Sequence, residues 1–464
     1  MINKKRRLGF TIVELVIVIA VIAILAAVLI PTFTNLVKKA NMSADMVAVK
    51  EMNTILSAEE VSGKPENIVK VQEILKANGI NDFTPMDANN VFYWIGTDNR
   101  IILWDTKLSK VIYPDEYVKK FENVGNPSID WNDLNLDYSL IYVEAEENQS
   151  LDEALVLAIE QAESGDIIVL PENSNITMAL SDIGNKMLMA NSIGKSITID
   201  LNNSTLISKD GNSLNVPVSG ELVMVNGTLV NTNMLIKEDS VITVAAGAKV
   251  ELKNINLKTN GTGLFPESNA SEVIVMNSNI QACGFGVGTR NTTSDNIHIR
   301  LKNTKIAVLD SSLGDGFAGV MINVPGLLEI DNCTIVGDYQ GIIVRGSTAI
   351  IKNSNVSITE ESWIPWGYDG YGDGNWGEGN NVNLAAITIG NRTPGYYQTP
   401  SDVTIVNSKF TGINEWHAMF VNANTGEGLG VTINYDSDCV FDGEVEYGNN
   451  GNNIVVNGES VAID

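Results

Sequence analysis

The first residues placed to do chemistry are Gly9, Phe10 and Glu14, because Glu14 stands at the head of sixteen uncharged residues, Leu15 to Ile30. Hydrocarbon disfavours an ionised side chain, so a carboxylate at the edge of such a run needs a partner charge and marks a functional group. A second set lies far downstream. Asp310, Asp315, Asp331, Asp338 and Arg345 combine carboxylates of the kind that hold a hard cation with a basic group; an Asp and Arg pair on a surface is the plainer reading. A third is the stretch from Trp363 to Asn381. There Trp363, Trp366, Tyr368, Tyr371 and Trp376 are interleaved with glycines and acids. Aromatic faces beside carboxylates suit contact with a sugar ring, and equally a loop laid over apolar surface.

The elements around Glu14 are those of a membrane helix. Lys4, Lys5, Arg6 and Arg7 hold the N-terminus on the cytoplasmic side. Residues 10–30 would span about 30 Å as a helix at about 1.5 Å per residue, enough to cross a bilayer. Pro31 predicts a kink and not a stop, since Leu36, Val37, Ala40, Met46, Val49, Met52, Ile55 and Leu56 continue a helical stripe to residue 60.

This segment resembles the prepilin signal of type IV pilins and type II pseudopilins: a basic leader, Gly9 at the cut, Phe10 as the new N-terminus and Glu14 five residues in. The resemblance implies cleavage after Gly9 by a prepilin peptidase, N-methylation of Phe10, and pairing of Glu14 with the terminal amine of a neighbouring pilin-like subunit. It also implies a single membrane pass before assembly and a surface or extracellular position afterwards. Two other readings stay open: a secretory signal peptide, for which Ala26-Ala27-Val28 is a poor cleavage site, and an uncleaved anchor helix starting with a Thr11/Glu14 capping box.

The chain has 464 residues, more than one ordinary compact core supports. Acids outnumber bases by 56 to 30, and loss of the four leader bases moves the net charge from -26 to -30, which argues against nucleic acid as a partner. Cys283, Cys333 and Cys439 have neither zinc spacing nor a disulfide framework. Buried free thiols are expected.

The order predicted is a leader over 1–9, a long helix over 10–60, a small α/β head over 61–145 and a repeat domain over 150–464. In the head, Ile68, Val71, Ile74 and Leu75 mark a helix ended by Asn78-Gly79, Val91–Ile95 and Ile101–Trp104 read as a hairpin, and Val111–Tyr113 adds a third strand. Trp94 and Trp104, alternating within strands, are expected in the core. This arrangement resembles the head of minor pilins.

From Ser150 a capping box leads into a helix with apolar positions 151, 154, 155, 158, 159 and 162. A phrase of apolar-x-apolar-x-Asn then recurs at Asn203, Asn226, Asn254, Asn277, Asn303, Asn332, Asn353 and Asn407, with intervals of 23, 28, 23, 26, 29, 21 and 54 residues. Coils of about 20–30 residues are within the solenoid range, and the last interval reads as two turns, one without the phrase. Asn fits the bend because its amide tolerates unusual backbone angles and can ladder with the Asn above. Helix and repeat together resemble a capped, pectate-lyase-like, right-handed parallel β-helix, so the fold expected is mainly β behind a long N-terminal helix.

Enzymes built on that fold act on polysaccharides, but their motifs are not evident: there is no paired-aspartate and Gly-His-Gly set and no Trp-Ile-Asp-His segment. The two histidines, His298 and His417, read as ordinary surface or turn residues. No cofactor is required. Asp369, Asp373 and Asn375 loosely echo a calcium loop from which Tyr371 and Asn380 depart. After Lys409 there is no Lys or Arg, so an anionic polymer would be repelled there. The function expected is that of a minor filament or pseudopilus subunit displaying a β-helix for adhesion or glycan binding. The alternative is a tethered polysaccharide lyase or hydrolase.

Overall fold

The computed structural model describes residues 37–59, 64–65, 68–81, 83–87, 89–95, 98–105, 110–121, 140–189, 192–236, 239–267, 269–289, 296–310, 317–359, 384–391, 399–413, 417–422, 430–447 and 454–461. The chain divides into two compact units, Met1–Tyr138 and Ser139–Asp464. Among the described residues no helix is long and apolar enough to cross a membrane, and residues 10–30 lie outside them.

In the first unit a helix runs over 37–59 and buries Asp45, Val49, Met52 and Leu56, a spacing that places all four on one face. Strands Asn90–Ile95, Arg100–Asp105 and Lys110–Tyr113 form an antiparallel sheet, preceded by the helix Ile68–Ala77. Helix and sheet are joined by polar clamps. The Asn53 amide donates to Ile101 O and accepts from Ile101 N, both at 2.7 Å. The buried Asp45 carboxylate accepts from Met86 N at 2.6 Å and Asn90 Nδ2 at 2.8 Å, so its charge is met by donors instead of water. Trp94 and Trp104 are buried, as their alternation predicts.

The second unit is a parallel β-helix. Its coil around Asn332 shows the plan: Gly326–Asp331 lies in a first sheet, Thr334–Gly337 in a second and Gln340–Arg345 in a third. Each strand pairs in parallel with its counterpart one coil away on either side, for example Glu329 with Arg300 and with Ile350. Among the described residues the third sheet has nine strands, from Leu214–Val216 to Glu444–Tyr447. Inward positions of the first sheet stack as Val250, Val273, Ile299, Leu328, Ala349, Val403 and Ile433, all buried, so one apolar column runs the length of the core. The first-sheet strand Ile297–Lys302 alternates buried and half-buried residues, whereas Gln340–Arg345 and Ala385–Gly390 of the third sheet are buried throughout.

The asparagines of the repeat sit at the bend between the first two sheets. Asn226, Asn254, Asn277, Asn303, Asn332, Asn353 and Asn407 all have φ between 44° and 58°. This left-handed conformation costs Asn less than most residues. Nδ2 of Asn407 donates to Oδ1 of Asn353 at 2.9 Å, and Lys352 is in register with Val406. The 54-residue interval is therefore one coil and not the two expected from its length. Periodicity alone could not separate an inserted loop from an unmarked coil; the added residues fall between strands, largely in 360–383 and 392–398, outside the described residues.

Ser150 and Glu153 form the expected capping box, and helix Leu151–Gln161 buries Ala154, Leu155, Ala158 and Ile159 over the first coils. Its C-terminal carbonyls are met by a buried lysine: Lys195 Nζ donates to Ala162 O at 2.7 Å, to Glu160 O at 3.1 Å and to Ile159 O. A second capping helix, Leu180–Met187, was not apparent from periodicity because its apolar positions are only Leu180, Ile183 and Met187. The three cysteines are free, with Cys283 and Cys333 buried.

Candidate functional site

Gly9, Phe10 and Glu14 lie outside the described residues, as do Asp315, the aromatic set Trp363, Trp366, Tyr368, Tyr371 and Trp376, and the calcium-loop set Asp369, Asp373 and Asn375. The remaining members of the aspartate and arginine set fall on different faces. Asp331 ends a strand of the first sheet and accepts from Asn353 Nδ2 at 2.9 Å, which makes it a rung of the bend ladder. Asp338 is buried at the bend after the second sheet and accepts from Thr359 Oγ1 at 2.9 Å. Asp310 lies at the same bend one coil earlier, exposed. Arg345 is buried at the end of a third-sheet strand. The structure thus brings Asp310 and Asp338 to one bend and keeps Asp331 and Arg345 apart from it and from each other.

What the structure does assemble is a charged face on the first sheet. Parallel register stacks Glu221, Lys249, Glu272 and His298 in one outward column on successive coils, with Glu251, Arg300 and Glu329 on the neighbouring column. Adjacent strands lie about 4.8 Å apart, so opposite charges one coil apart are within reach of each other. Lys249 Nζ is 2.9 Å from Glu221 and 3.2 Å from Glu251, and Lys253 Nζ is 2.9 Å from Glu251. Burial opposes the charge of Lys249, but Glu251 and Glu221 overcome it and raise its pKa.

His298 is the centre of the next cluster. Its Nδ1 is 3.5 Å from Glu272 and its Nε2 is 2.8 Å from Glu329, while Arg300 Nε donates to the same Glu329 oxygen at 3.0 Å. Burial favours protonating Glu329, yet the hydrogen bonds from His298 and Arg300 prevail and hold its carboxyl below the usual range. These residues were legible in principle. Glu221, Lys249, Glu272 and His298 each precede a bend asparagine by five residues, and Glu251, Arg300 and Glu329 by three. Using the asparagines as a ruler would have aligned the columns.

The second histidine lies in the third sheet. His417 opens the strand His417–Asn422 and is only 5% exposed, contrary to the surface or turn position expected for it. Its Nε2 is 2.5 Å from Glu446, its Nδ1 is 3.7 Å from Glu444, and its ring is tilted against Phe420 with centroids 5.4 Å apart. Burial pushes the imidazole below its usual pKa and Glu446 above its own, so desolvation favours the neutral form of both.

Residues 4–30 match the prokaryotic N-terminal methylation motif, which implies processing by a prepilin peptidase and pilin-like export. Among solved structures, the chain is similar to an alginate lyase from Paenibacillus sp. at 15% identity and TM-score 0.40, covering 68% of this chain and 99% of that one. It is also similar to a polygalacturonase from Erwinia carotovora ssp. carotovora at 13% identity and TM-score 0.31, covering 67% and 97%. The Dettilon tailspike protein matches at 8% identity and TM-score 0.31, covering 72% and 70%. The chain therefore carries a pilin-type N-terminal methylation motif ahead of a parallel β-helix.

Proposed function

We propose that this is a prepilin-like surface protein, cleaved after Gly9 and methylated at Phe10, that acts as a minor subunit of a type IV pilus-like filament or secretion pseudopilus and displays its β-helix outward. The observation that carries the reading is the motif match over residues 4–30, with Glu14 inside it. A carboxylate at the edge of an apolar run is stabilised by an amine brought to it in the same low-dielectric setting. The bulk of the Ser139–Asp464 unit favours a minor or tip position, since such a mass at every subunit would crowd a thin shaft. Before assembly the protein is a single-pass membrane protein with its N-terminus in the cytoplasm.

The displayed β-helix serves adhesion to surface glycans. Its first sheet offers donors and acceptors in neutralised pairs, which suits hydroxyl groups better than a polyanion, and the aromatic set from Trp363 to Trp376 supplies stacking faces. Intact-mass and N-terminal peptide analysis of the protein from its native cell surface tests the processing step. A methylated chain starting at Phe10 is expected. A chain starting at Met1, or one cut near Ala27, overturns it.

A second reading, a tethered polysaccharide lyase or hydrolase, is favoured by one observation, the half-buried His298 held between two carboxylates beside Arg300. Glycan depolymerisation lost on His298→Gln would establish it. Binding without turnover, lost on Trp366→Ala, would establish the adhesin.

A further inference from the structure

We propose that His417, Glu444 and Glu446 bind one divalent transition-metal ion of the zinc class, which ties the edge strand of the third sheet to the coil beneath it. Among the described residues, strand Glu444–Tyr447 is the terminal strand of that sheet and pairs only with His417–Asn422. Register sets Glu444 against His417, and the period of two along a strand puts Glu446 on the same face, with Val445 turned to the core. The register shift between His417 and Met419 then lets both carboxylates approach the one ring.

Four properties of the cluster point to a metal. One donor atom from each residue falls within 4.8 Å of the others. Small side-chain rotations bring such a set to the distance of about 2.0–2.2 Å that zinc keeps from nitrogen and carboxylate oxygen. His417 is 95% buried and its ring meets carboxylate oxygens at both nitrogens, 2.5 Å at Nε2 and 3.7 Å at Nδ1, yet neither contact has hydrogen-bond geometry, and buried polar atoms are rarely left so. A nitrogen donor selects a zinc-like ion over calcium or magnesium, which take oxygen. The field is also cationophilic: the sequence beyond Lys409 holds nine Asp and Glu residues and no Lys or Arg, and Lys409 itself faces Asp442 at 3.1 Å. Three protein ligands leave a fourth position for water. The Phe420 ring walls one side of the imidazole and would fix its orientation.

The fold supplies the reason for such a clip. An edge strand has unpaired backbone groups and nothing beyond it to hold it down. Both carboxylates are on the edge strand and the imidazole is on its neighbour, so one ion would link the two.

The test uses the untagged full-length chain in detergent, stripped with chelator and titrated with Zn²⁺ by calorimetry, with bound metal measured and Co²⁺ substitution followed by absorption. One equivalent of Zn²⁺ is expected, with a Co²⁺ spectrum that reports nitrogen ligation and a rise in unfolding temperature on saturation. The double variant Glu444→Gln/Glu446→Gln alters only exposed or half-exposed carboxylates, so the fold should persist by circular dichroism while affinity falls by at least about 10–100-fold. His298→Gln should leave binding unchanged. No Zn²⁺ uptake by the wild type, undiminished uptake by the double variant, or uptake that depends on His298 would each overturn the proposal.

Discussion

Asn332 Nδ2 donates to Oδ1 of Asn303 at 2.8 Å across adjacent coils, and both residues are held at φ near 50°. The same contact recurs from Asn303 to Asn277 at 2.9 Å and from Asn254 to Asn226 at 3.0 Å. Each side chain both permits its own bend and ties it to the next coil.

Replacing Asn303 separates these two contributions. Asn303→Gly keeps the backbone conformation and loses the ladder; Asn303→Ala loses both and adds left-handed strain. The expected order of stability is wild type, then Gly, then Ala, with Ala lower than wild type by about 1–3 kcal/mol. Thermal unfolding followed by circular dichroism checks it, and Ala equal to or above Gly would contradict it.

A glycine column lines the third sheet. Gly263, Gly286, Gly319 and Gly341 are in register, and a Cβ on each would strike a β-branched side chain of the second sheet: Ile280, Ile306, Ile335 and Val356 in turn. Gly319→Ala should therefore destabilise the β-helix by about 1–3 kcal/mol through overpacking. Ile335→Ala in the same chain should recover part of that loss, measured as a non-additive double-mutant cycle.

The Glu329 cluster should make stability acid-sensitive. Its folded pKa lies below the ordinary glutamate value, so its contribution is complete above that value and disappears as pH falls through the lower, folded one. The unfolding midpoint should drop across that acid window. Glu329→Gln, which cannot titrate, should show a smaller drop there; an equal drop would assign the acid sensitivity elsewhere.

Burial pushes the Cys333 thiol up to about 11, and the group donates to Asp331 O at 3.3 Å. In neighbouring coils the equivalent place after the bend asparagine holds Ser278, Thr304, Ser354 and Ser408. Cys333 should resist thiol reagents in the native protein at neutral pH, while the half-buried Cys439 reacts first. Cys333→Ser should retain the fold, since the hydroxyl can make the same hydrogen bond. Rapid native labelling of Cys333, read by peptide mass, would contradict the buried placement.

The asparagine phrase in the sequence determined that the second unit coils, where it bends and which residues point inward, because a period-two strand and a left-handed bend place strict demands on residue type. The helix and hairpin of the first unit were legible for the same local reason. The charged columns were encoded but not readable coil by coil, since Glu272, His298 and Glu329 become neighbours only when strands far apart in sequence stack about 4.8 Å apart. Loop length misled in one place: Asn353 and Asn407 are 54 residues apart in the chain yet share one hydrogen bond. The grouping of His417 with Glu444 and Glu446 was decided by tertiary structure alone. Its ligands come from two coils, and a register shift aims them at one point, a displacement that no spacing in the sequence records.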